Sequence, residues 1–197
     1  GFYKPTAGDI RYRGQSTLGL PTHAISDLGI IRTFQKTMVF PKATVRDGVL
    51  IGLHQSSSVG WWEILWNSAR KIKEDAGLQV EADRILEFTG LADKAHMEAR
   101  NLPYGEQRLL EIAVGLAPRP DLLLLDEPAS GMNAEESAKT LALIRRIRET
   151  GITVLLVEHN MRVVMDISDR IVVLDHGEKI AEGRPEEIQN NAAVIKA

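Results

Sequence analysis

The sequence predicts an α/β protein whose core is a parallel sheet and into which a helical subdomain is inserted. Two apolar stretches, Leu122–Leu125 and Ile152–Val157, have the composition of strands that are buried on both faces of a sheet. A stretch with helical periodicity, from about Ala134 to Glu149, lies between them, and this order is typical of a right-handed βαβ unit. Apolar residues also recur at helical spacing between residues 43 and 105, which indicates the inserted subdomain.

The remaining elements extend the sheet core on both sides of this insertion. Before it we expect a strand at Ile10–Gln15, a helix from Pro21 to about Leu28, and a strand at Ile30–Phe34. After it we expect a helix from near Gly105 to Leu116, a helix at Met161–Ile167, a strand at Ile171–Leu174, a hairpin turn at Asp175–Glu178 leading into Lys179–Ala181, and a short helix opened by Pro185. The expected division is therefore 1–42 and 106–197 for the sheet core, and 43–105 for the helical subdomain.

The composition excludes several classes of function. The chain has 197 residues and a formal net charge of −3, so its charge gives no reason to expect nucleic acid as a partner. The absence of cysteine excludes disulfides and thiolate metal sites. Its longest apolar runs are far shorter than the roughly 20 residues needed to cross a bilayer. A hydrophobic fraction of 44% is ordinary for a globular protein.

Two adjacent carboxylates, Asp126 and Glu127, follow the first of the two apolar strands. They are therefore expected at the carboxyl edge of the sheet, where α/β proteins bind ligands. Successive strand residues point to opposite sides, so the two acids are expected to have different roles. In a nucleotide hydrolase Asp126 would hold Mg²⁺ through water, and Glu127 would orient or deprotonate the attacking water. The alternative is a solvated strand end that caps the next helix.

Three further features follow the same logic. The segment Asn101–Arg108 enters a helix through a glycine, which exposes backbone N–H groups and the positive end of the helix dipole as an anion site. His159 follows the strand expected to neighbour the Asp126 strand, so both would reach one site, and Gln35 ends another strand. Each has an ordinary alternative: a turn before a helix, a structural histidine, and a glutamine that caps a loop.

Taken together, the order of these features resembles that of the ABC-type ATPases from one end of the chain to the other. By this resemblance the fold is that of the P-loop NTPases, a RecA-like parallel sheet with an inserted ABC-type helical subdomain. The resemblance assigns Gln35 to the Q-loop, Leu102, Pro103, Tyr104, Gly105 and Glu106 to the signature motif, Leu122–Asp126 to Walker B, Glu127 to the catalytic glutamate, Ser130, Gly131 and Asn133 to the D-loop, and His159 to the H-loop switch. It implies catalytic roles for Glu127, His159 and Gln35, and Mg²⁺ binding by Asp126 and Gln35.

Within this family, several segments look like the ATPase subunits of branched-chain amino acid importers. They are Gly1–Thr6, Arg32–Gln35, Leu102–Gly105, Pro128–Asn133, Glu158–Met161 and Gly183–Ile188. The solute itself is not readable from such a subunit.

The resemblance also implies partners and a location. Two ATPase subunits, identical or different, would enclose two ATP molecules, with the signature motif of one facing Asp126 and Glu127 of the other. The helical region would dock transmembrane permease subunits, and through them serve a substrate-binding protein. The subunit would then be peripheral, on the cytoplasmic face of the inner membrane. Trp61, Trp62 and Trp66 are better read as core or incidental surface than as the docking groove.

The chain departs from the family pattern in one major respect. A phosphate cradle needs Gly-x-x-x-x-Gly-Lys-[Ser/Thr], and no Gly-Lys pair followed by Ser or Thr occurs in the sequence. The chain looks truncated before this loop, so we expect it neither to bind ATP tightly nor to hydrolyse it well. A smaller departure is Pro103, which stands where many members have a serine that touches the γ-phosphate.

Two other functions are alternatives to the transport ATPase. A non-transport ABC protein of DNA repair or chromosome organisation would insert long coiled coils or zinc modules between the Q-loop and the signature motif, and the sequence has no cysteine and no sustained heptads. A catalytically inactive interaction module would have no reason to retain both Glu127 and His159. The missing loop favours such a module only if the natural protein begins at Gly1.

Overall fold

The computed structural model describes residues 5–33, 41–54 and 68–197, with side chains described in the last range from residue 76 onward. The chain divides into two compact units, Gly1–Leu156 and Val157–Ala197. The expectations for Gln35, Phe34 and the three tryptophans lie outside the described residues.

The first unit contains five strands and five helices among its described residues. They are β1 (Arg11–Tyr12), β2 (Gln15–Ser16), α1 (Thr22–Asp27), β3 (Ile30–Arg32), α2 (Val45–His54), α3 (Ser68–Thr89), α4 (Tyr104–Leu116), β4 (Leu122–Asp126), α5 (Ala134–Glu149) and β5 (Thr153–Val157). Short 3₁₀ turns at Ala92–Lys94 and Ala99–Asn101 join α3 to α4.

The central sheet of this unit has the order β3-β4-β5. Strand β3 runs parallel to β4 with Ile30 opposite Leu122 and Arg32 opposite Leu124. Leu123 is completely buried in β4. The predicted strand–helix–strand unit is therefore present, with β5 beside β4, and the parallel register brings the carboxyl ends of β3 and β4 to the same edge.

One expectation for β5 was wrong within the described residues. The apolar run predicted a strand buried on both faces, but burial alternates along β5 and Leu155 is 50% exposed. The apolar composition reflects the β-propensity of branched residues as much as their burial, so it cannot distinguish a half-covered strand from a covered one.

The predicted helical region is present as α2, α3 and the start of α4. Val45 and Val49 of α2 and Leu86 of α3 are fully buried in one core with Ala113 of α4. This core therefore includes residues of α4 beyond residue 105, and the predicted division at 105 stays a prediction. Helix α2 approaches α4 so closely that Gly52 has room for no side chain, because a Cβ there would lie 2.9 Å from the carbonyl oxygen of Val114.

Helix α5 begins at a reciprocal cap that also contacts α4. The side chain of Asn133 accepts a hydrogen bond from the N–H of Glu136, and the Glu136 carboxylate accepts one from the N–H of Asn133. This capping box accounts for the agreement between the predicted and observed start of the helix. The same Glu136 side chain lies against Gly105, where a Cβ would meet its atoms at 2.9 Å.

The second unit is a hairpin with short helices. It contains α6 (Met161–Ile167), β6 (Ile171–Asp175), β7 (Glu178–Gly183), α7 (Pro185–Gln189) and α8 (Ala192–Lys196). Strands β6 and β7 are antiparallel, and the predicted turn between them has positive φ at His176 and Gly177, as a type I′ turn requires. The sequence did not predict α8, whose N-cap is Asn191.

Two glycines of α2 provide a matched test of its packing against α4. We expect Gly52→Ala to lower the free energy of unfolding by about 1–3 kcal/mol, because the new methyl group overlaps backbone of α4. Gly48→Ala should instead raise it by up to about 1 kcal/mol through helix propensity, because its nearest neighbours are 3.8 Å away. Urea unfolding of both variants checks this, and equal effects would contradict the packing described.

A double-mutant cycle tests the contact between α4 and α5. Gly105→Ala should displace the Glu136 side chain from its bond to Asn133, whereas in a Glu136→Ala background the same methyl group has room. We therefore expect Gly105→Ala to be more destabilising by about 1 kcal/mol when Glu136 is present, the energy typical of a helix cap. Additive effects in urea unfolding would show that the two residues do not touch.

Candidate functional site

The end of β4 carries the first of the two predicted carboxylates. Asp126 closes the strand beside Arg32, the last residue of β3, and the Arg32 guanidinium lies 3.0 Å from an Asp126 carboxylate oxygen. The Asp126 side chain is 22% exposed, so it is accessible from the sheet edge. The parallel register of β3 and β4 creates this ion pair between residues 94 positions apart.

Glu127 differs from Asp126 in its backbone. Its φ is +45°, in the left-handed region that a residue with a Cβ rarely adopts, and it precedes a proline. Such a conformation costs about 1–3 kcal/mol and persists only where the surroundings enforce it, most often at functional sites. A turn follows at once, in which the N–H of Ser130 donates to the carbonyl oxygen of Glu127 at 3.1 Å. The two acids therefore differ in backbone conformation, and their different roles stay a prediction.

The predicted signature residues form the start of α4. The side chain of Leu102 belongs to the helical core and is 4% exposed, so only its backbone could meet a ligand. Pro103 is the N-cap and offers no side-chain oxygen to the first N–H groups of the helix. Those groups keep the capacity to bind an anion. Glu106, in the first turn, pairs with Lys94.

Tyr104 joins the start of α4 to the loop after β4. Its hydroxyl donates to the carbonyl oxygen of Ser130 at 3.2 Å. Its ring lies against Gly131, where a Cβ would be 3.3 Å from Cε1 of the tyrosine, and Gly131 has a φ of +75°. The residues predicted as signature motif and D-loop are thus in direct contact within one chain.

Asn133, the last predicted D-loop residue, also caps a helix. Its side-chain oxygen caps α5, as described above. The N-cap of α5 is thus Asn133, and neither Asp126 nor Glu127.

Two residues of this region were missed by sequence reasoning. Arg108 and Glu111, one turn apart on α4, form an ion pair at 2.9 Å whose side chains are only 6% and 10% exposed. Burial raises the pKa of the Glu111 carboxyl, and the neighbouring Arg108 opposes that change. Burial by itself lowers the pKa of Arg108, but its bonds to Glu111 and Tyr104 together outweigh burial and raise that pKa. Charged residues at this spacing usually lie on a solvated helix face, so their pattern carried no signal of burial.

Two other predicted site residues cannot be added to this group. His159 lies in the second unit, is exposed, and its backbone N–H bonds to the Glu158 carboxylate at 3.3 Å. Its pairing with Glu127 stays a prediction. Gln35 lies outside the described residues, and its predicted roles stay predictions.

The described residues fit Mg²⁺ only together with a phosphate ligand. Across residues 5–33, 41–54 and 68–197 no three His, Asp or Glu side chains converge as a protein-only metal site needs. Magnesium is nevertheless commonly held by one or two carboxylates plus substrate phosphates and water. Asp126 fits that role because its carboxylate already binds a cationic group, the Arg32 guanidinium.

Two protein-family models match the sequence of the chain. Residues 1–130 match the ABC transporter family, and residues 178–197 match the branched-chain amino acid ATP-binding cassette transporter family. The chain is 41% identical over 198 residues to the high-affinity branched-chain amino acid transport ATP-binding protein LivG of Escherichia coli K12, covering all of this chain and 78% of LivG. BraF of Pseudomonas aeruginosa matches with the same identity and coverage.

Solved structures agree on the fold. A nucleotide-free ATP-binding cassette from an ABC transporter superposes with a TM-score of 0.83 at 26% identity, covering all of this chain and 78% of that chain. An ADP-bound cassette of an ABC transporter gives 0.82 at 24% identity with the same coverage, a likeness of fold alone. The α/β P-loop fold expected from the sequence is thereby confirmed. The chain belongs to the ABC transporter family and, within it, to the ATP-binding proteins of the branched-chain amino acid subfamily.

Proposed function

We propose that this chain forms the catalytic part of an ATPase subunit that drives import of branched-chain amino acids. The observation that carries the proposal is the carboxylate pair at the end of β4, where Asp126 binds a cationic group and Glu127 is held in a strained turn. The names of the relatives, LivG and BraF, supply the solute class.

The two carboxylates are proposed to have different roles in ATP hydrolysis. Asp126 would hold Mg²⁺, exchanging the Arg32 guanidinium for the metal or its water. Mg²⁺, when bound, neutralises charge on the transferring phosphate. Glu127 would orient the attacking water and accept its proton, which requires the carboxylate to be aimed by the turn that contains it. His159 and Gln35 are proposed to complete this site.

The signature residues would act on a second nucleotide. The start of α4 presents backbone N–H groups and a positive dipole end, which suits the phosphates of an ATP bound to a second ATPase subunit. Two subunits, identical or different, would thus enclose two ATP molecules, with Ser130, Gly131 and Asn133 at the same interface.

Transport requires coupling to a permease. We place the docking surface for transmembrane subunits on the helical region, and a substrate-binding protein would act through them. None of the helices described here is both long and apolar enough for a membrane span. The subunit is proposed to sit on the cytoplasmic face of the inner membrane through its permease.

Isothermal titration tests the contribution of the phosphate loop. These 197 residues contain no Gly-x-x-x-x-Gly-Lys-[Ser/Thr] segment, so the backbone cradle and lysine that hold the β- and γ-phosphates are missing from them. We expect this chain alone to show no micromolar affinity for Mg-ATP. Micromolar binding would require a phosphate site elsewhere in the chain.

Substitution of the proposed base tests the catalytic assignment. In the natural subunit assembled with its permease, Glu127→Gln should lower kcat for ATP hydrolysis by about 10²–10⁴-fold, the usual contribution of a general base. ATP binding should be retained because the amide keeps the size of the side chain and removes only its basicity.

Glu149→Gln is the matched control, because Glu149 is an exposed glutamate at the end of α5. It should leave hydrolysis unchanged. If Glu127→Gln hydrolyses ATP as fast as this control, Glu127 is not the base, and an inactive interaction module becomes the better description.

A further inference from the structure

A continuous set of hydrogen bonds runs from the middle of α4 to the backbone of Glu127. The Glu111 carboxylate accepts from Arg108 Nη1 at 2.9 Å. The Tyr104 hydroxyl accepts from Arg108 Nε and Nη2 at 3.3 and 3.1 Å. The same hydroxyl donates to the Ser130 carbonyl, and the Ser130 N–H donates to the Glu127 carbonyl. We call this set of five residues the α4 relay.

The direction of each bond in the α4 relay is determined by chemistry. An arginine has only donors, so the Tyr104 oxygen must accept from Arg108, and the single hydroxyl proton is then left for Ser130. A hydroxyl that accepts from a cationic group is polarised and becomes a better donor. The bond to the loop therefore depends on the arginine, and the orientation of the arginine depends on Glu111.

Stability alone is a weak reason for such an arrangement. Withdrawing two charges from water costs several kcal/mol, and buried ion pairs often contribute no more than well-packed apolar residues would. Arg108 and Glu111 are nevertheless nearly inaccessible. What the pair does provide is a defined geometry at the Tyr104 hydroxyl.

The ring of Tyr104 adds a second contact with the same loop. Gly131 lies against the ring edge, and the lack of a Cβ leaves room for this contact, since a Cβ would be 3.3 Å from Cε1 of Tyr104. The loop is therefore held at two adjacent residues, Ser130 by a hydrogen bond and Gly131 by packing. Both follow within four residues of Glu127.

We propose that Tyr104 and Arg108 are positioning residues for Glu127. They hold the turn at residues 127–131 in the shape that aims the Glu127 carboxylate, and they tie that turn to the first helical turn of α4. A displacement of the start of α4, where a second subunit's nucleotide would bind, is thereby passed to the catalytic carboxylate. This inference rests on the proposed function for its catalytic meaning, and on the hydrogen bonds alone for its structural part.

The structural part is tested by amide hydrogen exchange on the present chain. Tyr104→Phe removes only the hydroxyl and its bond to the Ser130 carbonyl, and should speed exchange of the Ser130 amide by about five- to tenfold, as expected when the turn loses one hydrogen bond that holds it in place. Tyr12→Phe is the matched control, because Tyr12 lies on β1 and the Arg13 guanidinium lies over its ring. It should leave the exchange unchanged.

A remote variant separates a relay from a local contact. Glu111→Gln touches no loop residue, yet it should also speed Ser130 exchange, by about two- to threefold, because Arg108 loses its anionic partner. Urea unfolding of each variant shows that the fold is kept. Ser130 exchange that is unchanged in Tyr104→Phe overturns the proposal, and exchange that is unchanged in Glu111→Gln alone removes Glu111 from the relay.

The catalytic part is tested in the assembled transporter. Tyr104→Phe should lower kcat for ATP hydrolysis by about tenfold with little change in KM, since a misaimed base affects the chemical step more than binding. A parallel loss in kcat and rise in KM would indicate a general structural defect and overturn the positioning role. If Glu127→Gln is fully active, the proposed function fails, while the exchange results still decide whether the α4 relay exists.

Discussion

Helix α4 packs simultaneously on the helical core and on the sheet, and this double contact is the constraint on which the site depends. On one side Ala113 and Ala117 are buried in the core shared with α2 and α3. On the other side Gly115 approaches β4, because a Cβ on Gly115 would lie 3.3 Å from a methyl group of Leu123. Small residues on both faces allow this, because each added methylene would separate the layers. The start of α4 therefore lies near the loop that follows β4.

Ion pairs at the surface differ from the buried ion pair near the candidate site. Exposed pairs such as Glu135 with Lys139 lower the pKa of the carboxylate and raise that of the amine, but such pairs contribute little because water screens them. The buried pair of Arg108 and Glu111 differs in its carboxylate, because burial is the largest influence on the pKa of both residues and raises the pKa of Glu111. This pair orients the Tyr104 hydroxyl, since the guanidinium donates to that hydroxyl in fixed directions.

Sequence reasoning succeeded where the deciding interactions are local. Helices α5 and α6 have the predicted bounds, because Asn133 and Asn160 cap them with their own side chains and the apolar spacing follows. The hairpin turn at residues 175–178 was predicted from its Asp-His-Gly-Glu sequence, whose glycine accepts a positive φ. The reading of β5 failed in part, because the burial of a strand's second face depends on what covers it and not on the strand itself.

The sequence by itself determined the family, the order of its motifs and the identity of the two carboxylates, because these are matters of residue type and spacing along one strand and its turn. Only the tertiary structure decided which distant residues contact the end of this strand and its turn. Arg32 reaches Asp126 across 94 residues through the register of two parallel strands, and Tyr104 reaches Ser130 across 26 through the packing of α4 on α5. No local pattern encodes such pairs, since they follow from the placement of whole elements against a shared core.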